Sequence, residues 1–154
     1  MFTGVSMVAK IRSMEHIEHL IATRPLIALH MFAALLALVI GSVVMALRKG
    51  TVNHKALGWT WVVLMATTAV CSAFIRDYRL PNIAGYTPIH FFTAYVSVAL
   101  PLGIVKIRRG DVSGHKGVMK RMFIGACCVA GLFTLLPGRF LGDLLWKHAL
   151  GLVH

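Results

Sequence analysis

Four histidines carry the chemistry that this sequence suggests. Sliding the chain along itself by 60 positions superposes His30 on His90, Phe32 on Phe92, Arg48 on Arg108, Gly50 on Gly110 and Val52 on Val112. One inserted residue then brings His54 and Lys55 onto His115 and Lys116. The chain therefore reads as a duplicated helical hairpin, and the duplication pairs His30 with His90 and His54 with His115. Neutral imidazole is an iron ligand, and facing helices of a bundle build cofactor sites. Two such pairs suit bis-histidine ligation of one or two b-type haems. Basic side chains near each pair are candidate partners for haem propionates: Arg24, Arg76, Arg79 or Arg139 beside the first, and Lys55, Lys116, Lys120 or Arg121 beside the second.

Each pair also has a plainer reading. An ionisable residue within an apolar span is costly unless it is paired. Donation to a backbone carbonyl, or to Thr67, Thr68 or Thr134 on a neighbouring helix, would satisfy His30 and His90 equally well. His54 and His115 sit in or beside loops, where Asn53 and Ser113 look like helix N-caps, so they also suit interfacial first-turn positions. A mixed metal site of His30, His90 and Cys71 is a third option. His16, His19, His148 and His154 fall in the tails, where surface histidines are the default; Glu15 and His19 would share a helix face.

The elements that position these residues are apolar runs. The chain has 154 residues, 58% of them hydrophobic, above the roughly 45–50% of soluble domains. Four segments approach the ~20 apolar residues that cross a bilayer: Pro25 to Leu47, Leu57 to Ile75, Thr87 to Val105, and Val118 to Pro137. Backbone groups in lipid must be satisfied internally, so each span is expected to be α-helical. Short connections make successive helices antiparallel neighbours. The expected fold is all-α, an integral membrane four-helix bundle over residues 25–138 with hairpin repeats at 25–76 and 86–138. Met7, Ile11, Met14, Ile17 and Ile21 recur at helical spacing in residues 1–24, and Phe140, Leu141, Leu144, Leu145, Trp146 and Leu150 do so in 139–154. Both ends read as amphipathic interfacial helices. Trp59, Trp61 and Tyr86 read as aromatic-belt anchors.

The 16 Lys and Arg against 5 Asp and Glu give a formal charge of +11. These cations cluster between the apolar runs, as membrane loops require, which argues against nucleic-acid binding. Nine of them (Arg48, Lys49, Lys55, Lys106, Arg108, Arg109, Lys116, Lys120, Arg121) flank the first and third loops. The opposite side holds seven: Lys10, Arg12, Arg24, Arg76, Arg79, Arg139 and Lys147. The positive-inside rule places the denser loops in the cytoplasm and both termini outside. Cys71, Cys127 and Cys128 lie in apolar runs and form neither a disulfide framework nor a CxxC motif. Residues 1–24 carry too many charges for a cleavable signal.

The stretches Arg-Lys-Gly-Thr-Val-Asn-His-Lys-Ala-Leu-Gly-Trp at 48–59, Pro-Ile-His at 88–90, Arg-Arg-Gly-Asp-Val-Ser-Gly-His-Lys at 108–116 and Leu-Pro-Gly-Arg at 136–139, with His30, carry a resemblance. Over residues 26–140 the chain resembles the bacterial membrane family called domain of unknown function 2306. That resemblance implies the architecture and a bacterial inner-membrane location, and no activity. In helix number and paired histidines the chain is also similar to four-helix di-haem cytochromes of the b561 type, an analogy of architecture. The expected function is a membrane electron-transfer protein, with His30 and His90 as outer and His54 and His115 as inner haem ligands and a quinone or a larger membrane complex as partner. The alternative is a non-catalytic accessory or assembly subunit of a respiratory or photosynthetic complex. A transporter would need a second broken helix to match Pro101 and Gly103, and an acidic residue in a span. Neither is present in the sequence.

Overall fold

A computed structural model describes residues 18–76, 78, 83–87, 90–135 and 142. Four helices within it are long and apolar enough to cross a membrane: α1 (Pro25–Ala46), α2 (Val52–Phe74), α3 (His90–Arg108) and α4 (Val112–Thr134). Each packs on the next, and α4 returns against α1, so the four close into a bundle. Among the described residues the fold is all-α apart from one isolated two-residue bridge, Ile83 to Tyr86. Residues 18–23 form a helical stretch that folds Leu20 against Ala28 and Met31 of α1. Arg24 breaks it from α1 with an extended φ of −140°, because a residue preceding proline is driven out of the helical region. The rest of the expected amphipathic termini, including Met7, Ile11, Met14, Ile17, Arg139 and Lys147, lies outside the described residues, as does Arg79.

The two hairpins turn in the same way. Gly50 (φ +84°) and Gly110 (φ +79°) take the left-handed conformation that ends a helix. Thr51 and Asp111 follow as N-caps: the Thr51 hydroxyl accepts from the His54 N–H, and the Asp111 carboxylate from the Gly114 N–H. Asn53 and Ser113 are therefore not the caps; they are the second residues of helices that begin at Val52 and Val112. The capped polar turns extend α2 and α4 beyond the purely apolar runs, since the hydrogen-bonded backbone continues while Lys55 and Lys116 remain exposed.

The core centres on Trp61, 1% exposed, with Met65, Ala37, Val96, Met119, Met122 and Cys127 around it. Trp61 is thus a packing residue and not an interfacial anchor, whereas Trp59 stays 54% exposed. Two glycines let backbones approach. A Cβ on Gly41 would meet the Trp61 indole nitrogen at 2.6 Å and the Phe123 ring at 2.8 Å. A Cβ on Gly103 would meet the terminal methyl of Met119. Opposite Gly41, α4 widens into a π-helix over Phe123–Val129, which sets the Cys127 thiol 3.5 Å from the Met65 sulfur.

The two glycines should differ in tolerance. Gly41→Ala drives a carbon into two rigid rings and is expected to destabilise the bundle by about 1–3 kcal/mol. Gly103→Ala is expected to lose less, because the end of a methionine can swing away. Denaturant unfolding in detergent micelles measures both, and equal losses would contradict this packing.

Candidate functional site

His30 and His90 lie toward one end of the bundle, each bonded to a carbonyl in or at the end of α2, and His54 and His115 lie at the first turns of α2 and α4 at the other end. The pairs differ in what their nitrogens do. His30, six residues into α1, places Nδ1 3.0 Å from the Thr68 carbonyl of α2. A carbonyl only accepts, so Nδ1 carries the proton and Nε2 keeps a lone pair. The Thr68 hydroxyl turns back to the Leu64 carbonyl at 2.8 Å, so the partner of His30 is backbone and not the threonine side chain.

His90 is arranged in the opposite sense. It is the first residue of α3, where its backbone N–H donates to the Thr87 carbonyl at 2.9 Å and its ring turns back to Thr87. The Thr87 backbone N–H donates to Nδ1 at 3.1 Å, and Nε2 lies 3.0 Å from the Ile75 carbonyl at the end of α2. A backbone N–H only donates, so Nδ1 is the acceptor and Nε2 carries the proton. The Thr87 hydroxyl, 3.2 Å away, can donate to the same nitrogen, and the arrangement leaves His90 no free nitrogen. Tyr86 stands edge-on to this ring with centroids 5.1 Å apart. Arg76 covers Tyr86 at 3.7 Å and reaches the Ala84 carbonyl at 3.3 Å. One turn deeper, the Ser72 and Thr93 hydroxyls share a hydrogen bond of 2.7 Å between α2 and α3.

At the opposite end of the bundle His115, the fourth residue of α4, places Nδ1 2.9 Å from the Gly103 carbonyl of α3. Its Nε2 lone pair is free by the same reasoning. His54, the third residue of α2, turns its ring toward the Val44 carbonyl of α1, but its buried Nδ1 makes no hydrogen bond of good geometry. By the offset of 60 the carbonyl equivalent to that of Gly103 belongs to Val43, and His54 makes no bond to it. Nearby, Lys49 folds its ammonium onto the Val44 and Met45 carbonyls at 3.0 and 2.7 Å, capping the end of α1. In the second half Lys106 takes a different partner, Asp111, at 2.8 Å. That ammonium, with the Gly114 N–H, holds the Asp111 carboxyl below its ordinary range. The pair is exposed, so it contributes little stability.

Of the predicted propionate partners, Lys55, Lys116 and Lys120 are exposed near the His54 and His115 end, and Arg24 and Arg76 are exposed near the other. Arg121 lies six residues beyond His115, about 120° around α4 from it at 100° per residue. Among the described residues no three His, Cys, Asp or Glu side chains converge to hold a metal ion. The mixed site of His30, His90 and Cys71 is therefore not assembled.

Helices and histidines together define a multi-pass all-α membrane protein with two polar couples, one at each end of its bundle. The family model described as "Predicted membrane protein (DUF2306)" matches residues 27–146, and the chain belongs to that family. No curated protein and no solved structure matches it.

The clamp at His90 makes a prediction. Substituting phenylalanine keeps a ring while deleting both nitrogens. His90→Phe strands the Ile75 carbonyl and the Thr87 N–H and is expected to cost about 1–3 kcal/mol. His30→Phe removes a single interhelical bond, near 0.6 kcal/mol in membranes. Thermal unfolding in detergent separates them, and equal stability would contradict the assignment.

Proposed function

We propose that this protein carries electrons within the membrane through one b-type haem held between His54 and His115. The observation that carries this reading is the buried Nδ1 of His54, which makes no hydrogen bond of good geometry, at the same end of the bundle as a histidine whose Nε2 is free. A ligating histidine usually donates its other ring N–H to a carbonyl or carboxylate, which fixes its tautomer and orientation. His115 already makes that bond to Gly103. The couple of His30 and His90 fits the group less well, because binding there would break the His90 bonds to Ile75 and Thr87. Its role in this reading is to tie α1 and α3 to α2.

The chain's own residues would divide the work. His54 and His115 would hold the haem iron, and the Gly103 carbonyl, bonded to Nδ1, would orient the His115 ring. Lys55, Lys116 and Lys120 lie at the same end, where propionates would emerge. When bound, the haem supplies one-electron redox chemistry. The positive-inside rule sets this end in the cytoplasm of a bacterial inner membrane, with a quinone or a larger membrane complex as the redox partner.

An absorbance spectrum of the detergent-purified protein tests the reading. Haem bands are expected in the parent protein and in His90→Phe, with loss in His54→Ala and His115→Ala. A parent protein without haem bands, or bands that survive both alanine substitutions, would overturn it.

A further inference from the structure

Between α3 and α4, on the face turned to lipid, lies a groove of about 160 Å³ lined by Tyr95, Val98, Ala99, Leu102, Val118 and Arg121. Its floor is made by Ala99 and Val118, 6% and 5% exposed, and one wall by Val98, 68% exposed. The small alanine opens it; Pro101, which bends helices by withholding an N–H, lies beside it. The volume is of the size that admits a benzene-sized apolar group, so a segment of hydrocarbon chain fits.

Val98, Ala99, Leu102 and Val118 make the groove mostly apolar, and Arg121 is the charged side chain that lines it, with Tyr95 as the other polar-tipped one. Arg121 is nine residues past the start of α4, about 13 Å along it at 1.5 Å per residue. Its guanidinium folds back over Gly117, where the nearest nitrogen would stand 3.5 Å from a Cβ. The missing side chain of Gly117 leaves that path open, and the charge is carried about one turn toward the polar end of the helix. It still lies below the helix start, where an unpaired cation is expensive. Asp111 is the described carboxylate nearest along the chain, and Lys106 already holds it at 2.8 Å. The groove thus combines a hydrocarbon slot with a cation in need of an anion at its mouth.

We infer that this groove is a binding site for one anionic phospholipid, an acyl chain lying along Ala99, Leu102 and Val118 with the phosphate on Arg121. The phosphate oxygens accept from the guanidinium in the forked geometry that arginine favours. Lys120, exposed on the neighbouring face, adds to the local positive field without lining the slot. This site is independent of the histidine couples, since Arg121 faces away from His115.

Native mass spectrometry of the purified protein with phosphatidylglycerol and phosphatidylcholine in equal amounts tests it. The first bound lipid is expected to be phosphatidylglycerol by about fivefold, the scale of one cation's attraction to an anionic lipid. Arg121→Gln should bring the ratio to near one, whereas Lys120→Gln should keep it above one. Ala99→Phe fills the slot and leaves the cation, so it should remove the first adduct of either lipid. Equal binding of the two lipids by the parent protein, an unchanged ratio in Arg121→Gln, or an unchanged adduct in Ala99→Phe would each overturn the proposal.

Discussion

An imidazole placed in a membrane cannot leave its N–H to water, and the arrangement of this bundle follows from how three histidines meet that condition. Each of His30, His90 and His115 gives its proton to a backbone carbonyl of another segment: Thr68 in α2, Ile75 at its end, and Gly103 in α3. These carbonyls already lie in or at the end of helices, and each uses its second lone pair to tie one helix to its neighbour. Side-chain hydroxyls add little to the links. Those of Thr68, Ser97 and Thr134 return to their own helices, and among the described residues only the Ser72–Thr93 hydroxyl pair bridges two of them.

The duplication supplies this scheme twice, yet the halves have diverged where a single polar group decides the outcome. Thr51 and Asp111 cap equivalent helices, but only Asp111 is charged, and Lys106, which pairs with it, stands where the first half has Ala46. In the first half Lys49 turns instead to the carbonyls at the end of α1. His54 is left with a buried nitrogen that its counterpart His115 does not have. The asymmetry has the same origin in His90, whose neighbour Thr87 offers a backbone N–H and converts that histidine from a donor at Nδ1 to an acceptor.

Much of the fold was legible because hydropathy and loop charge leave few alternatives: four apolar runs, short basic connections and a repeat at 60 positions define the four-helix bundle. The helix starts were not legible from hydropathy, since Asn53, His54, Ser113 and Lys116 are polar and fall outside an apolar window. Thr51 and Asp111 signal those starts three residues before the N–H groups they accept from. Trp61 read as interfacial because tryptophan favours that depth, but Gly41 and the π-helix open a place for its ring in the core. The histidine pairs were visible as pairs. Their tautomers were not, because they depend on Thr87, Ile75 and Gly103 backbone groups that have no signature in side-chain types. The choice of carbonyl over threonine hydroxyl for His30 likewise belongs to geometry.

The central claim is therefore a statement about protons, and nitrogen-15 NMR of ring-labelled histidine, assigned by single substitution, reads it directly. The account predicts Nδ1–H for His30 and His115 and Nε2–H for His90 in the membrane-embedded protein. The same tautomer for His30 and His90, or rapid exchange between the two forms in either ring, would contradict it.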